Sequence, residues 1–374
     1  MIRTIKIKLE KTNELLQTIR IYNLACQKVL DYGYENKIYN KLKLNTATYH
    51  PIRKSHPTLP SCLVQTARDQ ASDMLKKDKF KNKIKKKQHS SIRFDKRTMK
   101  VFLNSEYCKL TTIFGRMEYK FKLANYYKKY INWKIKNGQL IIKNNSCYLH
   151  IQVENNDTIT PNGDKRLGVD LGINNIAVCS DNTFHNSKHL KNVKGKYQHL
   201  KKQLQQKGTQ SAKRKLKKIA GRERRFVADV NHCLAKELVN KPYDIIVFED
   251  LINLKKRNMV KGRGKEKYKQ KKCNKKLGRW SYRQLQTFAQ YKAEELGKQV
   301  LYTAPTYTSQ TCSKCGFKHK TNRNGKLFKC KKCSYTLDAD LNAARNIATF
   351  SRSIGSRVSV NHPNITGKPS YKSG

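Results

Sequence analysis

The sequence predicts a multidomain α+β protein, and three features of its organisation indicate this class. Residues 90–155 form a series of short apolar stretches separated by turn signals, which is typical of a small β domain. After a Pro-Asn-Gly break at residues 161–163, strands alternate with long helical stretches, as in α/β folds. Two Cys-x-x-Cys pairs between residues 312 and 333 add a small metal-stabilised insert.

The N-terminal segment combines one strand with a helical block. Residues 4–10 alternate apolar and charged side chains, which predicts a strand with one buried face. Residues 13–40 carry apolar side chains at helical spacing, whereas the prolines at 51, 57 and 60 predict a turn-rich segment. A further helix is predicted from residue 61 to 74. Eight lysines among residues 76–87 are typical of a solvated face or loop, but between a helical block and a β block a linker that contacts phosphates is an equally good interpretation.

Six short strands are predicted after this lysine run, and we expect the N-terminal strand to join them in a small barrel. They are residues 91–94, 100–103, 110–113, 118–123, 139–143 and 147–153. Asp157 to Lys165 is rich in turn residues and marks the clearest domain boundary.

The remaining chain predicts an α/β domain with a mobile loop and a disordered tail. Tyr243–Phe248 is a continuous apolar run, as expected of a strand covered on both faces. The other predicted elements are a strand–turn–strand at 167–180, a basic helical region at 188–240, a mobile loop at 255–276, a helix at 279–296, a strand at 299–303 and a disordered tail at 349–374.

The charge of the chain predicts a polyanionic partner. The 374 residues include 81 Lys and Arg against 26 Asp and Glu, a formal net charge of +55. Neutralising phosphates releases condensed counterions, so such a surface favours nucleic acid binding with strong salt dependence. AT-rich codon usage explains an excess of Lys over Arg, but it would raise Asp and Glu as well.

A membrane or secreted location is not favoured. The sequence has no apolar run of about 18 residues, and its first residues lack the apolar core of a signal peptide. Seven of the 11 cysteines are scattered singly, which indicates a reducing compartment rather than a disulfide framework. We therefore expect an intracellular protein.

Four cysteines have the spacing of a zinc ribbon. Cys312 and Cys315 are separated from Cys330 and Cys333 by fourteen residues, so two knuckles can close a tetrahedron of thiolates. A redox role is less favoured, because two pairs at this separation do not resemble a thioredoxin-like site. With four thiolate ligands the zinc would be structural, and basic residues of the intervening loop, including Lys326, could contact phosphate.

Three carboxylates occupy unusual positions for so basic a chain. Asp170 lies within an apolar strand, Glu249 ends another, and Asp340 begins the helix after the cysteines. A buried carboxylate needs a charge partner or a metal, and two-metal hydrolysis needs several carboxylates at one point. Taken singly, each has an ordinary alternative, since Asp338 or Asp340 could cap the helix and Glu249 could be solvated beside Asp250.

With these residues in view, the chain resembles the TnpB family of transposon-encoded RNA-guided endonucleases, which are related to the compact type V CRISPR effectors. The resemblance extends over nearly the whole chain and is most specific in its C-terminal half. The matching motifs are Gly-Val-Asp-Leu-Gly-Ile at 168–173, Val-Phe-Glu-Asp-Leu at 247–251, Thr-Ser-Gln-Thr-Cys-Ser-Lys-Cys-Gly at 308–316 and Asp-Ala-Asp-Leu-Asn-Ala-Ala-Arg-Asn-Ile at 338–347.

The resemblance implies a domain plan. A wedge β-barrel (1–10 and 88–160) would be interrupted by a helical recognition domain (11–87). A split RuvC-like, RNase H-like nuclease domain (165–305 and 335–350) would carry an inserted four-cysteine zinc ribbon (306–334), followed by the tail (351–374). This gives the fold class in full: a multidomain α+β protein with an α/β nuclease domain.

The resemblance also implies chemistry and partners. Asp170, Glu249 and Asp340 would bind two catalytic Mg²⁺ ions, and Asp340 is chosen over Asp338 because the family's acid precedes Asn by two positions. A guide RNA from the transposon end would pair with one strand of double-stranded target DNA and displace the other strand. The protein itself would recognise only a short motif beside the target. A cytoplasmic, nucleoid-associated location in a bacterium or archaeon is implied, with a monomer favoured.

Further nucleic-acid contacts are predicted on weaker grounds. Polar residues of the 61–75 helix and its surroundings could contact base edges, although an ordinary polar face explains each one equally well. The candidates are Tyr49, Gln65, Arg68, Gln70, Lys326 and Arg345.

Two other functions remain open beside an RNA-guided DNA endonuclease. A catalytically silent RNA-guided repressor would have lost one of the three acids, all of which are present here. A transposase or its accessory protein is disfavoured as the strand-transfer enzyme, because no His-x-His motif accompanies a candidate tyrosine.

Overall fold

The computed structural model describes residues 1–143, 145–156, 161, 163–251, 281–304, 306–353 and 357–358, with side chains up to residue 349. Two compact units divide the chain, Met1–Asp157 and Thr158–Gly374. No helix among the described residues is long and apolar enough to cross a membrane. Helices and strands are numbered here in chain order.

The first unit contains two antiparallel sheets and three helices. One sheet has the order β1-β7-β6-β2, and the other has the order β3-β4-β5. The strands are β1 (Ile2–Leu9), β2 (Ile92–Phe94), β3 (Met99–Phe102), β4 (Tyr107–Thr112), β5 (Gly115–Lys120), β6 (Lys134–Lys143) and β7 (Ser146–Glu154). All seven strands predicted for this unit are therefore confirmed, while their closure into a wedge β-barrel stays a prediction.

The helices of the first unit are α1 (Asn13–Glu35), α2 (Lys41–Ser55) and α3 (Ser61–Asp78). The prediction of a turn-rich segment around Pro51 is wrong, because Pro51 lies inside α2. Asn40 starts this helix, since its Oδ1 accepts hydrogen bonds from the N–H groups of Leu42 and Lys43 at 2.9 and 3.2 Å. Leu44 and Ile52 are buried in the core of the unit, and this packing offsets the hydrogen bond that proline cannot make.

The second unit is built on a six-stranded mixed sheet with the order β10-β9-β8-β11-β12-β16. Its strands are β8 (Arg166–Asp170), β9 (Asn175–Cys179), β10 (Phe184–Asn186), β11 (Ile245–Glu249), β12 (Gln299–Thr303) and β16 (Arg357–Val358). β8, β11 and β12 run parallel, whereas β9, β10 and β16 are antiparallel to their neighbours.

Helices pack on both faces of this sheet. They are α4 (Lys188–Lys207), α5 (Gln210–Asn240), α6 (Tyr282–Glu295) and α7 (Ala339–Ser353). One core joins alternate residues of the central strands to α5 and α6, and a smaller one joins Ile245, Val247 and Leu301 to Ile347 of α7. The prediction that β11 is covered on both faces is confirmed, because Ile245 to Phe248 are all buried.

A second, three-stranded sheet of this unit lies between β12 and α7 along the chain. It comprises β13 (Arg323–Asn324), β14 (Leu327–Lys329) and β15 (Thr336–Asp338) and carries the cysteine knuckles. The predicted mobile loop at 255–276 lies outside the described residues. The tail predicted to be disordered is partly ordered: α7 continues to Ser353 and β16 pairs with β12, and the rest of the tail lies outside the described residues.

Candidate active site

Two of the predicted carboxylates lie at the ends of neighbouring parallel strands. β8 and β11 pair in the register Val169↔Phe248, and the next residue of each strand is an acid, Asp170 or Glu249. Parallel strands end at the same edge of a sheet, so the two acids that the sequence separates by 79 positions become neighbours. This edge is the usual ligand-binding edge of α/β sheets.

The third carboxylate reaches this edge because α7 crosses β8 in direct contact. A Cβ atom placed on Gly168 would lie 2.0 Å from the carbonyl oxygen of Ala344 and 2.6 Å from the nitrogen of Ala348. Only glycine therefore permits this approach. The sequence contained this signal in its Gly-Val-Asp motif, but not the partner that requires it.

Asp338, not Asp340, caps the N-terminus of α7. Its Oδ1 accepts hydrogen bonds from the N–H groups of Asp340 and Leu341 at 2.9 and 3.2 Å. Asp338 therefore caps the helix, and the alternative that Asp340 is the N-cap residue is wrong. Asp340 remains in the first helical turn, where Asn175 Nδ2 lies 3.5 Å from its Oδ2.

The pKa of Asp170 responds to both of the other acids. Burial and the negative charges of Glu249 and Asp340 raise the pKa of Asp170 to about 8, against the opposing charge of Arg323. Burial also raises the pKa of Glu249, although a hydrogen bond from Thr308 and the charge of Arg323 oppose this. Arg323 alone does not balance the negative charge of three ionised carboxylates, so this cluster favours a further cation.

Two residues that the sequence did not assign to the acids contact them directly. Thr308 Oγ1 donates a hydrogen bond of 2.7 Å to Glu249 Oε1. Arg323, at the start of β13, forms a 3.0 Å ion pair with Asp340 Oδ1. Arg323 is one of the basic residues between the cysteine pairs, but nothing in its spacing identified Asp340 as its partner.

The donor set suits a hard divalent cation. Carboxylate oxygens are the preferred ligands of Mg²⁺, and a cation would balance the charge that raises the pKa of Asp170. Among the described residues, only the four cysteines bring three or more ligand atoms within 4.8 Å of one another. The three carboxylates do not meet that distance criterion in this conformation.

The four cysteines form a compact thiol cluster. The Sγ atoms of Cys312 and Cys333 are 3.7 Å apart, and those of Cys315 and Cys330 are 3.6 Å apart. A tetrahedron with Zn–S bonds of about 2.3 Å has edges of roughly 3.8 Å, so the spacing fits zinc. Gly316 follows the first pair with a φ of +74°, the left-handed turn that a knuckle requires.

Backbone hydrogen bonds favour the thiolate form of one of the four cysteines, Cys330. Burial tends to raise the pKa of Cys330, but the N–H groups of Cys333 and Lys332, each 3.4 Å from its sulfur, help to lower it to about 7. The thiolate is the form that binds metal. Burial raises the pKa of Cys312, and hydrogen bonds with the neighbouring thiols raise that of Cys333 to about 12, so the spacing of the four sulfurs supports a zinc site more strongly than their titration does.

Two buried asparagines attach the cysteine-bearing segment to α7. Asn342 Nδ2 donates to Thr311 O at 2.8 Å, and its Oδ1 accepts from Ser313 N at 3.0 Å. Asn346 Nδ2 donates to the carbonyls of Thr308 and Thr311 at 2.8 and 2.7 Å. The helix that carries Asp340 thereby also fixes Thr308, which contacts Glu249.

The predicted base-reading residues of the first unit are largely engaged within the protein. Gln70 is buried, with Nε2 donating to Ser91 O at 3.1 Å and Oε1 accepting from Lys86 at 2.7 Å. Arg68 pairs with Asp69 at 2.8 Å. Gln65 accepts from Arg97, and Tyr49 packs edge-on against His50. In this conformation Gln70 is unsuited to contact a base, and the role of the other three stays a prediction.

The two candidates of the second unit differ from each other. Lys326 is exposed beside β14, as a phosphate contact requires. Arg345 donates to Tyr335 Oη at 2.7 Å and Asn182 Oδ1 at 3.0 Å, so its guanidinium links α7 to neighbouring loops.

A basic helical hairpin is the most highly charged described surface of the second unit. α4 and α5 pack together through a small core of Leu204, Ala212 and Ile219. Residues 188–225 include fifteen Lys and Arg but one acid, Glu223, which is paired with Lys201. Arg214, Lys218 and Arg222 repeat every four residues, so they form a stripe on one face of α5.

Two family models match this chain. The Cas12f1-like TNB domain model matches residues 282–347, which include the four cysteines and Asp340. The OrfB_IS605 model, described as "Probable transposase", matches residues 150–263, which include Asp170 and Glu249. Together the two matches contain every predicted acid and zinc ligand.

Individual relatives give the same picture. A TnpB-like protein of Methanocaldococcus jannaschii is 29% identical over 253 residues, which are 63% of this chain and 86% of that protein. The CRISPR-associated endodeoxyribonuclease Cas12f1 of Sulfoacidibacillus thermotolerans is 52% identical over 73 residues, but these are only 17% of its length and 19% of this chain.

Solved structures are more distant. The mini-RNA-guided endonuclease CRISPR-Cas_phi3 is 10% identical with a TM-score of 0.47, over 96% of this chain and 93% of that one. A TM-score below 0.5 is too low to establish a shared fold.

Proposed function

We propose that this chain, which is similar to TnpB-like and Cas12f1 proteins, is an RNA-guided, Mg²⁺-dependent DNA endonuclease encoded by a transposable element. The observation that supports this proposal is the convergence of Asp170, Glu249 and Asp340, since burial and the charges of the other two acids raise the pKa of Asp170. The named Cas12f1 relative is an endodeoxyribonuclease, and its similar segment is 52% identical to this chain.

In the proposed mechanism the second unit is a RuvC-like, RNase H-like nuclease domain. Asp170, Glu249 and Asp340 would hold two Mg²⁺ ions, which supply water activation and stabilise the leaving oxygen when bound. Thr308 orients Glu249 through its 2.7 Å hydrogen bond and favours the ionised carboxylate against the effect of burial. Arg323, paired with Asp340 at 3.0 Å, provides a positive charge beside the acids where a phosphate would enter.

The other parts of the chain would hold the nucleic acids. A guide RNA from the transposon end would select the target, and the first unit, as wedge barrel and helical recognition domain, would recognise a short motif beside it. The basic hairpin of α4 and α5 would contact phosphates. The four cysteines would bind a structural zinc, because four thiolates leave no position for a substrate.

The test is guided cleavage by an acid-site variant. Asp170→Ala should lower the cleavage rate by about a thousandfold or more, because metal ligation supplies several kcal/mol of transition-state stabilisation. Binding of the co-purified RNA should not change. Asp229→Asn, which removes an exposed carboxylate of α5, is the matched control and should cleave normally.

The same assay separates the alternatives. Guided cleavage that persists in Asp170→Ala would refute the assignment of the acids. A wild-type protein that binds its RNA and the matching DNA without cutting would be the silent repressor. A protein from which no discrete RNA can be recovered would refute RNA guidance and leave a role as a transposase accessory protein.

A further inference from the structure

A cavity lies directly beside the proposed cleavage site and belongs to none of the roles described above. It encloses about 320 Å³ between the β8–β9 turn and the first turns of α4. Ile173, Ile176 and Leu190 form its apolar wall, and Lys191 and Lys194 lie at its rim. The volume is in the lower part of the range for pockets that bind small organic groups.

The turn that forms this cavity also contacts the proposed metal ligands. Its first lining residue, Gly172, follows Asp170 by two positions. Asn175, at the other end of the turn, lies 3.5 Å from Asp340. A strand whose phosphate lay at the acids would therefore place an adjacent nucleotide at the cavity.

The cavity wall is fixed by hydrogen bonds before any ligand binds. Ser187 Oγ lies 2.8 and 2.6 Å from the carbonyl oxygens of Ile173 and Asn174. Lys191 Nζ donates to Asn174 Oδ1 at 2.8 Å, which holds its side chain at the rim. A wall that is already ordered reduces the entropy lost on binding.

A glycine inside α4 lines the cavity. Gly195 lies in the middle of a 20-residue helix, where glycine is the least favourable residue apart from proline. A Cβ atom placed there would meet no atom within 4 Å, so packing among the described residues does not require glycine. Gly168 is the opposite case, because α7 fills the space beside it. Gly195 is exposed and lies among the lining residues of the cavity, so a larger side chain there has room at the cavity mouth.

We propose that this cavity binds one unpaired nucleotide of the DNA strand being cut. The base would lie against Ile173, Ile176 and Leu190, since aliphatic side chains pack against base faces and between base steps. The adjoining phosphate would face Lys191 and Lys194. This inference rests on the proposed function, because DNA is chosen over RNA for the cavity's position beside the cleavage acids.

The test fills the cavity without removing a functional group. Gly195→Leu places an apolar side chain in it, and leucine is a good helix former. Gly221→Leu is the matched control, because Gly221 is a helical glycine of α5 whose Cβ would meet only Arg225 Nη1, at 3.6 Å. Neither variant should lower the thermal unfolding midpoint of the protein–RNA complex.

Binding is measured in EDTA with two labelled probes, a dT12 oligonucleotide and a 12-mer of abasic nucleotides. Wild type and Gly221→Leu should bind dT12 about tenfold more tightly than the abasic strand, as expected for a base held on a side-chain surface. Gly195→Leu should lose most of this preference and retain affinity for the abasic strand, because the lysines remain.

Three results would overturn the proposal. The first is an unchanged preference for dT12 over the abasic strand in Gly195→Leu, and the second is an equal loss of that preference in Gly195→Leu and Gly221→Leu. The third is a Gly195→Leu protein that binds oligo(rU) more weakly but dT12 normally, which would show that the cavity binds RNA. Guided cleavage of plasmid DNA by wild type is scored separately. If wild type cleaves the plasmid but Gly195→Leu keeps its preference for dT12, only the assignment of the cavity is refuted. If Gly195→Leu loses that preference but wild type shows no guided cleavage, only the proposed function is refuted.

Discussion

Asp170 combines burial with two neighbouring negative charges, and its pKa of about 8 lies far above the ordinary value of 3.8. The folded protein therefore retains a proton that the unfolded chain releases from about pH 4 upward. Stability that this protonated carboxyl provides is fully present below pH 4 and is lost as the pH rises through 8. The loss is at most about 1.4 kcal/mol per pH unit between the two pKa values.

Asp170→Asn should consequently stabilise the metal-free protein. In EDTA its thermal unfolding midpoint should exceed that of wild type at pH 8, and the gain should shrink toward pH 4, because the amide cannot ionise. Mg²⁺ should raise the midpoint of wild type more than that of the variant. Asp229→Asn is the control. A gain that is independent of pH would contradict the raised pKa of Asp170.

Thr308 offers a second test at single-residue scale. Its hydrogen bond lowers the pKa of Glu249 against the effect of burial, so Thr308→Val should raise that pKa further. The acid limb of the cleavage pH–rate profile should then move to higher pH, with a loss of roughly tenfold at neutral pH for one charge-assisted hydrogen bond.

Thr308→Ser keeps the hydroxyl and should restore the wild-type profile. Both variants preserve the backbone carbonyl that accepts from Asn346, so the attachment of this segment to α7 is the same in each. A Thr308→Val enzyme with an unshifted acid limb would show that Thr308 does not hold Glu249 in the active state.

Helix α7 connects the two sites of the second unit. Asp340 lies in its first turn, while Asn342 and Asn346 hold the segment that carries Thr308 and the first cysteine knuckle. The side chain of Ile347 completes the smaller core against β11 and β12. A small shift of α7 on β8 would therefore displace Asp340, Thr308 and the knuckle together.

Gly168→Ala tests this arrangement. The added methyl would overlap the α7 backbone at Ala344 and Ala348, so α7 must move. We expect a loss of about 1–3 kcal/mol in the free energy of unfolding by urea, with a loss of cleavage larger than the unfolded fraction explains. Gly221→Ala, whose Cβ makes one ordinary contact inside α5, should cleave as wild type and unfold with equal or up to about 1 kcal/mol greater stability. Normal stability of Gly168→Ala would exclude the close crossing.

On the scale of the whole molecule, a net charge of +55 disfavours the compact state through self-repulsion, so a polyanionic partner would stabilise the folded protein. Much of the positive charge of the second unit lies on the α4–α5 hairpin, where residues 188–225 include fifteen Lys and Arg and one acid. Because that hairpin has only a small core of its own, its exposed residues serve solubility and binding more than folding.

Neutralising the stripe on α5 should change the salt dependence of RNA binding. A triple variant with Arg214→Gln, Lys218→Gln and Arg222→Gln should reduce the slope of log K against log salt by roughly 2–3, since each phosphate contact contributes about 0.7–0.9. Replacing Arg214 and Arg222 with Lys keeps the charge and should keep the slope. An unchanged slope in the triple variant would place the RNA elsewhere.

The sequence predicted elements that are set by neighbouring residues, but it did not predict an element that depends on packing against other segments. Strands such as β1 and β11 were predictable because burial imposes its period on neighbouring residues. Helix α2 was missed because Pro51 is an unfavourable local signal, and contacts of Leu44 and Ile52 with distant helices override it.

The sequence by itself determined the candidate zinc ligands and the identity of the three acids. The cysteines are close in the chain, so their spacing alone fixes a tetrahedral cluster, and acids at strand ends are rare in so basic a chain. The tertiary structure decided what surrounds them: Arg323 on Asp340, Thr308 on Glu249, the crossing at Gly168 and the cavity at Gly195. Each of these features is a contact between separate segments of the chain. The side-chain pattern of one segment specifies its own burial but does not identify the segment that it will contact.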